Sequence, residues 1–416
     1  MLQAIINNIY YPIISGEINY ELDAVGEFSI EVLGSELNWQ SALYLPVEIV
    51  YKGENLVTGY IDKTPTLALD ENKVITISLD CVNDLGRLAC RRSFRNSHFQ
   101  NKTFLYVIST LMATYTGWEL DISQLSVSSQ NELITVDLRS KESLFAQFID
   151  AIGAVPGVHL RYGGINPLTL NYILEIGEFN QVSSYVEKGF NLTAITIEPQ
   201  NNRLYSEVEA YSGISGTARI RLNRALTDAR YLASPYNVEY PIVLDPSDNA
   251  YVVQNLNAIS TISCSTRKSF DAIKTKNDTT PTSGELDDVS WTLYLKTIRF
   301  LKETDLSNIF NISFTNNKLP VVGDRIRINA IVEQPMIDNS TGQVMGYSTI
   351  LDIQDDYRIT RYSLDLSKFI INKAQEYNLD NEYFISLTCS DNDELGYYDE
   401  SVALYSELEK YESIND

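Results

Sequence analysis

The residues able to do chemistry are few and scattered. The chain has two histidines, His98 and His159. Neither has a partner at metal-ligand spacing, and no HExxH pair occurs. His159 sits in the apolar, strand-like run Val158-His-Leu-Arg-Tyr, where a structural role is the default. The four cysteines, Cys81, Cys90, Cys264 and Cys389, form no CxxC pair and read as free thiols. No GxSxG or Walker motif is present. Gly213-Ile-Ser-Gly-Thr lacks the lysine a phosphate loop needs and reads as a turn. Carboxylates are abundant, but pairs spaced for glycoside hydrolysis occur by chance in any chain this acidic. Asp391-Asn-Asp-Glu-Leu-Gly396 resembles the start of a calcium loop. Leu395 and Val402, however, fall at its fifth and twelfth positions, where oxygen ligands are required. The segment reads instead as a solvated charge run. No catalytic, cofactor-binding or metal-binding residue is expected, and no cofactor.

One cluster stands apart. Arg87, Arg91, Arg92, Arg95 and Lys102 are interleaved with Phe94, His98 and Phe99. Guanidinium groups in such a run serve either as a docking patch for an acidic neighbour, such as another copy of the chain, or as local ion pairs at a domain junction. The sequence leaves both open.

The elements that must position these residues are mainly strands. Phe28-Ser-Ile-Glu-Val alternates large apolar with small or charged residues, the period of a sheet with one wet face. Val47, Ile49 and Tyr51 repeat the pattern, as do Ile75, Ile77 and Leu79 after the turn at Asp70-Glu-Asn. Residues 1–88 therefore read as a first small antiparallel β-barrel. Residues 89–195 read as an α+β domain. Phe104, Ile108, Leu111, Met112 and Tyr115 share a helical face, with Gly117 placed to end the helix. A second helix is expected from near Ser140, carrying Leu144, Phe145, Phe148, Ile149 and Ile152 up to Gly153. A strand over Leu133–Leu138 and a hairpin over 158–176 complete the domain.

Residues 196–225 and 295–366 read as a second β-barrel, interrupted by a turn-rich insertion at 226–294. Ser290-Trp-Thr-Leu-Tyr-Leu reads as a strand within that insertion. Residues 367–416 are assigned to a C-terminal helix, which begins near Leu366 and runs to Tyr377, and an acidic tail. From 391 onward the tail holds nine acidic residues, one lysine and four tyrosines. The fold class is thus α+β, mainly β: two small tube-like antiparallel β-barrels with an intervening α+β domain.

Composition sets the outer limits. With 416 residues the chain needs more than one core, and 44% hydrophobic residues supply them. The 27 tyrosines suit half-buried strands and interfaces. A formal net charge of −23 disfavours binding to a phosphate backbone. Met1-Leu-Gln-Ala-Ile-Ile lacks a basic n-region, so no signal peptide is expected, and no run is long enough to span a membrane.

Two β segments echo each other. Leu45-Pro-Val, Gly59-Tyr60 and Ser78-Leu-Asp in the first correspond to Leu319-Pro-Val, Gly346-Tyr347 and Ser363-Leu-Asp in the second. Together with Gly26-Glu-Phe-Ser-Ile, Gly59-Tyr-Ile-Asp and the late Pro320-Val-Val-Gly-Asp-Arg-Ile-Arg-Ile, this order of parts resembles the tail-hub family of phages and related contractile machines. That family includes baseplate hubs, the hub portion of siphophage tail-associated proteins, and type VI spike-hub proteins. The resemblance is one of pattern and architecture over roughly residues 1–370.

The resemblance implies a homotrimer whose paired barrels make a pseudo-six-fold ring beneath a hexameric tail tube. It implies a tail-tube or distal tail protein, a spike or fibre protein and a tape-measure protein as partners, with DNA only in passage. It places the protein in the virion, after synthesis in the host cytoplasm. A competing expectation, a tail-fibre or surface protein that binds or cleaves polysaccharide, favours exposed aromatic platforms and short-period repeats. The chain has only three tryptophans and no short-period repeat.

Overall fold

A computed structural model describes residues 2–34, 41–69, 75–90, 97–113, 115–138, 142–200, 204–215, 218–247, 249–259, 264–276, 280–305, 307–337, 342–369 and 383–394. The chain opens with seven strands: β1 (Leu2–Ile6), β2 (Ile9–Glu21), β3 (Glu27–Leu33), β4 (Pro46–Tyr51), β5 (Glu54–Ile61), β6 (Thr66–Leu69) and β7 (Ile75–Asn83). Two-residue turns set their register. Asn7-Asn8 and Lys52-Gly53 both adopt positive φ, as the right-twisted hairpin turn requires. The order β1-β4-β5-β7-β3-β2 returns to β1, so six antiparallel strands close a barrel. Burial follows the alternation read from sequence: in β3, Phe28, Ile30 and Val32 point inward.

The middle of the chain forms the α+β part. It contains α1 (Gly86–Cys90), β8 (Ser97–Thr103), α2 (Phe104–Met112), β9 (Trp118–Asp121), α3 (Val127–Asn131), β10 (Leu133–Leu138), α4 (Leu144–Ile152), β11 (His159–Ile165) and β12 (Tyr172–Gly177). Here β8 pairs with β10, and β12 lies between β11 and β9. Helix α2 is capped by Thr103, which accepts the Tyr106 N–H, and ends at Ala113; Gly117 instead takes positive φ in the following turn. Helix α4 is capped by Ser143, whereas Ser140, the expected start, lies outside the described residues. Phe104, Ile108, Leu111, Phe148 and Ile152 meet in one core.

Two strands, β13 (Val182–Glu187) and β14 (Leu192–Gln200), then lead to a second unit. It comprises β15 (Glu207–Ser215), β16 (Ala218–Arg221), α5 (Ala229–Ala233), β17 (Ile242–Asp245), β18 (Ala250–Gln254), α6 (Leu256–Ile259), β19 (Ser265–Phe270) and the long helix α7 (Ser283–Glu303). The chain returns through β20 (Ser307–Asn316), β21 (Arg325–Ile337), β22 (Val344–Asp365) and β23 (Tyr383–Ser390).

The sheet order β14-β20-β23-β22-β21-β13 makes an open half-barrel, with β13 joined in parallel to β21. Pairing of Glu17–Glu21 on β2 with Arg361–Asp365 on β22 welds it to the closed barrel. The result is one thirteen-stranded sheet around one continuous core. The Leu45-Pro-Val and Leu319-Pro-Val segments accordingly belong to a closed barrel and a half-barrel.

Three expectations change. The stretch Ser290–Leu295 is not a strand but the middle of α7. Every residue from Val289 to Leu295 is buried, because α7 lies between the five-stranded sheet of β15–β19 and the α+β part. A helix covered on all sides shows no apolar stripe, and its Trp, Thr, Leu and Tyr carry a strand-like composition. Residues 295–303, assigned to the second barrel, belong to the same helix. The strands of 196–225 also divide. β14 pairs with β20 in the large sheet, but β15 and β16 join β17–β19 in the smaller one. Of the C-terminal helix, only a short 3₁₀ turn over Leu366–Phe369 is described; the remainder of that expectation and the tail beyond 394 lie outside the described residues.

A candidate assembly surface and the polar junction behind it

Of the five basic residues singled out, Arg87 and Lys102 are described; Arg91, Arg92 and Arg95 lie outside the described residues. Arg87 is committed locally. Its Nε donates to Asp84 at 2.6 Å, and its guanidinium lies over the rings of Tyr60 and Tyr172 at 4.9 and 5.4 Å. Lys102 is exposed and stands 5.7 Å from the Tyr106 ring. Beside Arg87, a shallow open cleft of about 230 Å³ is lined by Tyr44, Tyr60, Arg87 and Cys90. No group of three metal-ligating side chains occurs among the described residues.

The most prominent apolar surface was not anticipated from sequence. Beyond Asn329, β21 leaves β13, and before Arg358, β22 touches neither β23 nor β2. The two strands continue as a hairpin arm paired only with each other among the described residues. Ile331, Met336, Ile337, Val344, Met345 and Tyr347 on this arm are 41% to 72% exposed. A lone two-stranded hairpin is marginal in water, and these exposed apolar side chains make the arm a candidate contact surface. A smaller apolar tip lies on the β11–β12 hairpin. The Glu119 carboxylate accepts from Asn166, Thr169 and Asn171, and this holds Leu168 and Leu170 out in solvent.

Behind these surfaces the three parts meet through buried charge. Asp23, in the β2–β3 turn, takes the Leu160 N–H at 2.7 Å and contacts His159 Nδ1 at 2.6 Å, with Arg299 Nη2 at 3.6 Å. Burial opposes ionisation of Asp23, but His159, Arg299 and the Leu160 N–H outweigh it and hold the carboxyl below its ordinary range. His159 is fully buried, and its Nε2 lies 2.9 Å from the Asp393 carbonyl.

Arg161, further contacts of Arg299, and two glutamates complete the junction. Arg161 of β11 reaches into the half-barrel, donating to Asp324 at 2.7 Å and to the Val322 carbonyl at 2.8 Å, while Glu175 takes its Nε. Arg299 of α7 donates to the carbonyls of Ile152, the last residue of α4, and of Val158 beyond it. The expected solvated run at 391–394 is docked here instead. Glu394 is only 4% exposed, accepting the Gly157 N–H at 2.7 Å. Charge runs read as solvated because sequence shows the carboxylates but not the distant cations that bind them.

This arrangement positions surfaces rigidly and presents apolar contact area. In the cleft beside Arg87, Tyr60 Oη lies 3.5 Å from Cys90 Sγ. The sequence matches no protein-family model and no curated protein. In three dimensions the chain is similar to a tail protein from Neisseria meningitidis MC58, with a TM-score of 0.55 at 12% identity, covering 94% of this chain and 96% of that one. It is equally similar to the 43 kDa tail protein of prophage MuSo2 from Shewanella oneidensis, with a TM-score of 0.55 at 12% identity and coverage of 95% and 99%. A third likeness is to the E. coli c3393 protein, a component of the type VI secretion system. Here the TM-score is 0.50 at 10% identity, and coverage is 95% of this chain and 79% of the other. At these identities the likeness is one of fold, and it is the mainly β, barrel-based fold that the sequence pattern led us to expect.

Proposed function

We propose that this chain is the structural hub of a phage tail. Three copies close a ring in which barrels and half-barrels alternate, giving six similar surfaces to a hexameric tail tube. A distal tail or tube protein and the tape-measure protein contact one face, and a spike or fibre protein the other. The carrying observation is the β2–β22 pairing, which fuses a barrel and a half-barrel into one rigid sheet, so that each copy offers two β-walled surfaces at a fixed spacing. The fold shared with the Neisseria and Shewanella tail proteins supports this reading. So does the hairpin arm, whose apolar side chains need a protein neighbour. The rest of the basic run up to the exposed Lys102 is a second contact, set against an acidic surface of the adjoining subunit, while Arg87 is held by Asp84 within the chain.

The role is structural, without catalysis. The carboxylate excess behind the net charge of −23 faces the channel and keeps DNA from adhering as it passes. The test is light scattering and native mass spectrometry on the purified chain, alone and mixed with a tail-tube protein. A complex of three chains per tube hexamer is expected. A chain that stays monomeric with the tube protein and degrades a glycan refutes the reading, and a basic channel in the ring refutes the proposed role of the charge.

A further inference from the structure

Residues Asp391–Glu394 follow the last half-barrel strand, and none of them belongs to the three apolar cores. Every side chain in this strap is polar, yet it is held at each step. Asp391 takes the backbone and side-chain N–H groups of Asn308 at 2.8 and 3.0 Å. Asn392 donates to the Lys302 carbonyl at 2.6 Å, at the end of α7. Asp393 takes Arg325 Nη2 at 2.6 Å, and Glu394 takes the Gly157 N–H and pairs with Lys302 at 3.3 Å.

The receiving surface comes from three separate parts: Gly157 and His159 from the α+β part, Lys302 from α7, and Arg325 and Arg358 from the half-barrel. Arg358 is 2% exposed, and its Nε has no hydrogen-bond partner. That nitrogen lies 3.7 Å from Asp393 Oδ1, so a buried donor points at the strap without being satisfied by it.

We infer that this cationic cradle is a binding site for an acidic peptide, occupied in this structure by the chain's own Asp391–Glu394, and that the strap is releasable. Release breaks the polar contacts named above, which water replaces. The strap is tethered, so its effective concentration is about millimolar, and it excludes weaker external peptides while docked. An acidic segment from a second copy, carrying the same Asp-Asn-Asp-Glu chemistry, fits the cradle in its place. This inference does not depend on the tail reading.

The test uses the full chain and a fluorescent peptide matching Ser390–Glu394. In the Asp393→Ala, Glu394→Ala double variant the strap loses its contacts to Arg325, Gly157 and Lys302, and the peptide is expected to bind roughly tenfold or more tightly than to the native chain. Adding Arg325→Gln to that variant is expected to abolish the gain, and so is raising the salt concentration. Equal binding to the native and double-variant chains overturns the inference. So does absence of binding to a double variant whose near-ultraviolet circular dichroism matches the native chain. Should the double variant lose its fold, Glu394→Gln replaces it. Faster amide exchange at Gly157 together with peptide binding is then expected, and unchanged exchange without binding overturns the proposal.

Discussion

Replacing Asp23 by asparagine tests whether buried charge holds the closed barrel against the α+β part. The amide retains an acceptor for the Leu160 N–H, now 2.7 Å away, but loses the charge that faces His159 at 2.6 Å and Arg299 at 3.6 Å. Removing one member of a buried ionic cluster strands the others, at a cost of about 3 kcal/mol. That corresponds to about a 150-fold rise in local opening. The protein has several cores, so a single unfolding midpoint would blur the effect. Native-state hydrogen exchange at the Leu160 amide and at the Asp23 amide, which donates to the Leu160 carbonyl, reports the junction directly.

The pH dependence supplies a second reading of the same variant. Asp23 is held below its ordinary range in the folded chain. Its contribution is therefore complete above the unfolded aspartate value and is lost as pH falls through the folded one. Native protection at Leu160 should fall with acid over that window, whereas in Asp23→Asn this component should be flat. Protection that drops by less than about threefold at neutral pH, with an acid response identical to native, would refute the argument.

Other substitutions probe other levels. A Cβ at Gly59 would lie 2.0 Å from the Val82 carbonyl oxygen, where three residue pairs between β5 and β7 help close the barrel. Gly59→Ala should cost about 3 kcal/mol or more, read from urea unfolding. Phe148→Ala empties a fully buried site in the α+β core and should cost about 3–5 kcal/mol by the same measurement. Thr282→Ala breaks the reciprocal capping box with Glu285 at the start of α7; about 1 kcal/mol should be lost, visible as faster exchange in the first helical turn. Met345→Ser with Tyr347→Ser removes two exposed side chains of the hairpin arm. Stability should stay within about 0.5 kcal/mol, while association in light scattering falls sharply.

The local regularities of this protein were set by its sequence alone. The alternation of Phe28, Ile30 and Val32 specified a half-buried strand, and the faces of α2 and α4 followed from their helical spacing. The scarcity of histidine and the acidic balance are properties of composition, and strand alternation with the order of parts sufficed for the barrel-based fold class. What tertiary structure alone decided are the long-range partnerships. Whether Val289–Leu295 is helix or strand depended on layers closing over it from both sides, which erased the periodicity that sequence reading needs. That β14 joins the large sheet while β15 does not was decided by β20, a hundred and more residues from β14, and by β19, 58 residues from β15. The Asp23–His159 contact and the docking of Glu394 at Gly157 join residues separated by 136 and 237 positions. A carboxylate looks the same in sequence whether water or a buried arginine solvates it, and only the folded chain brings the arginine near.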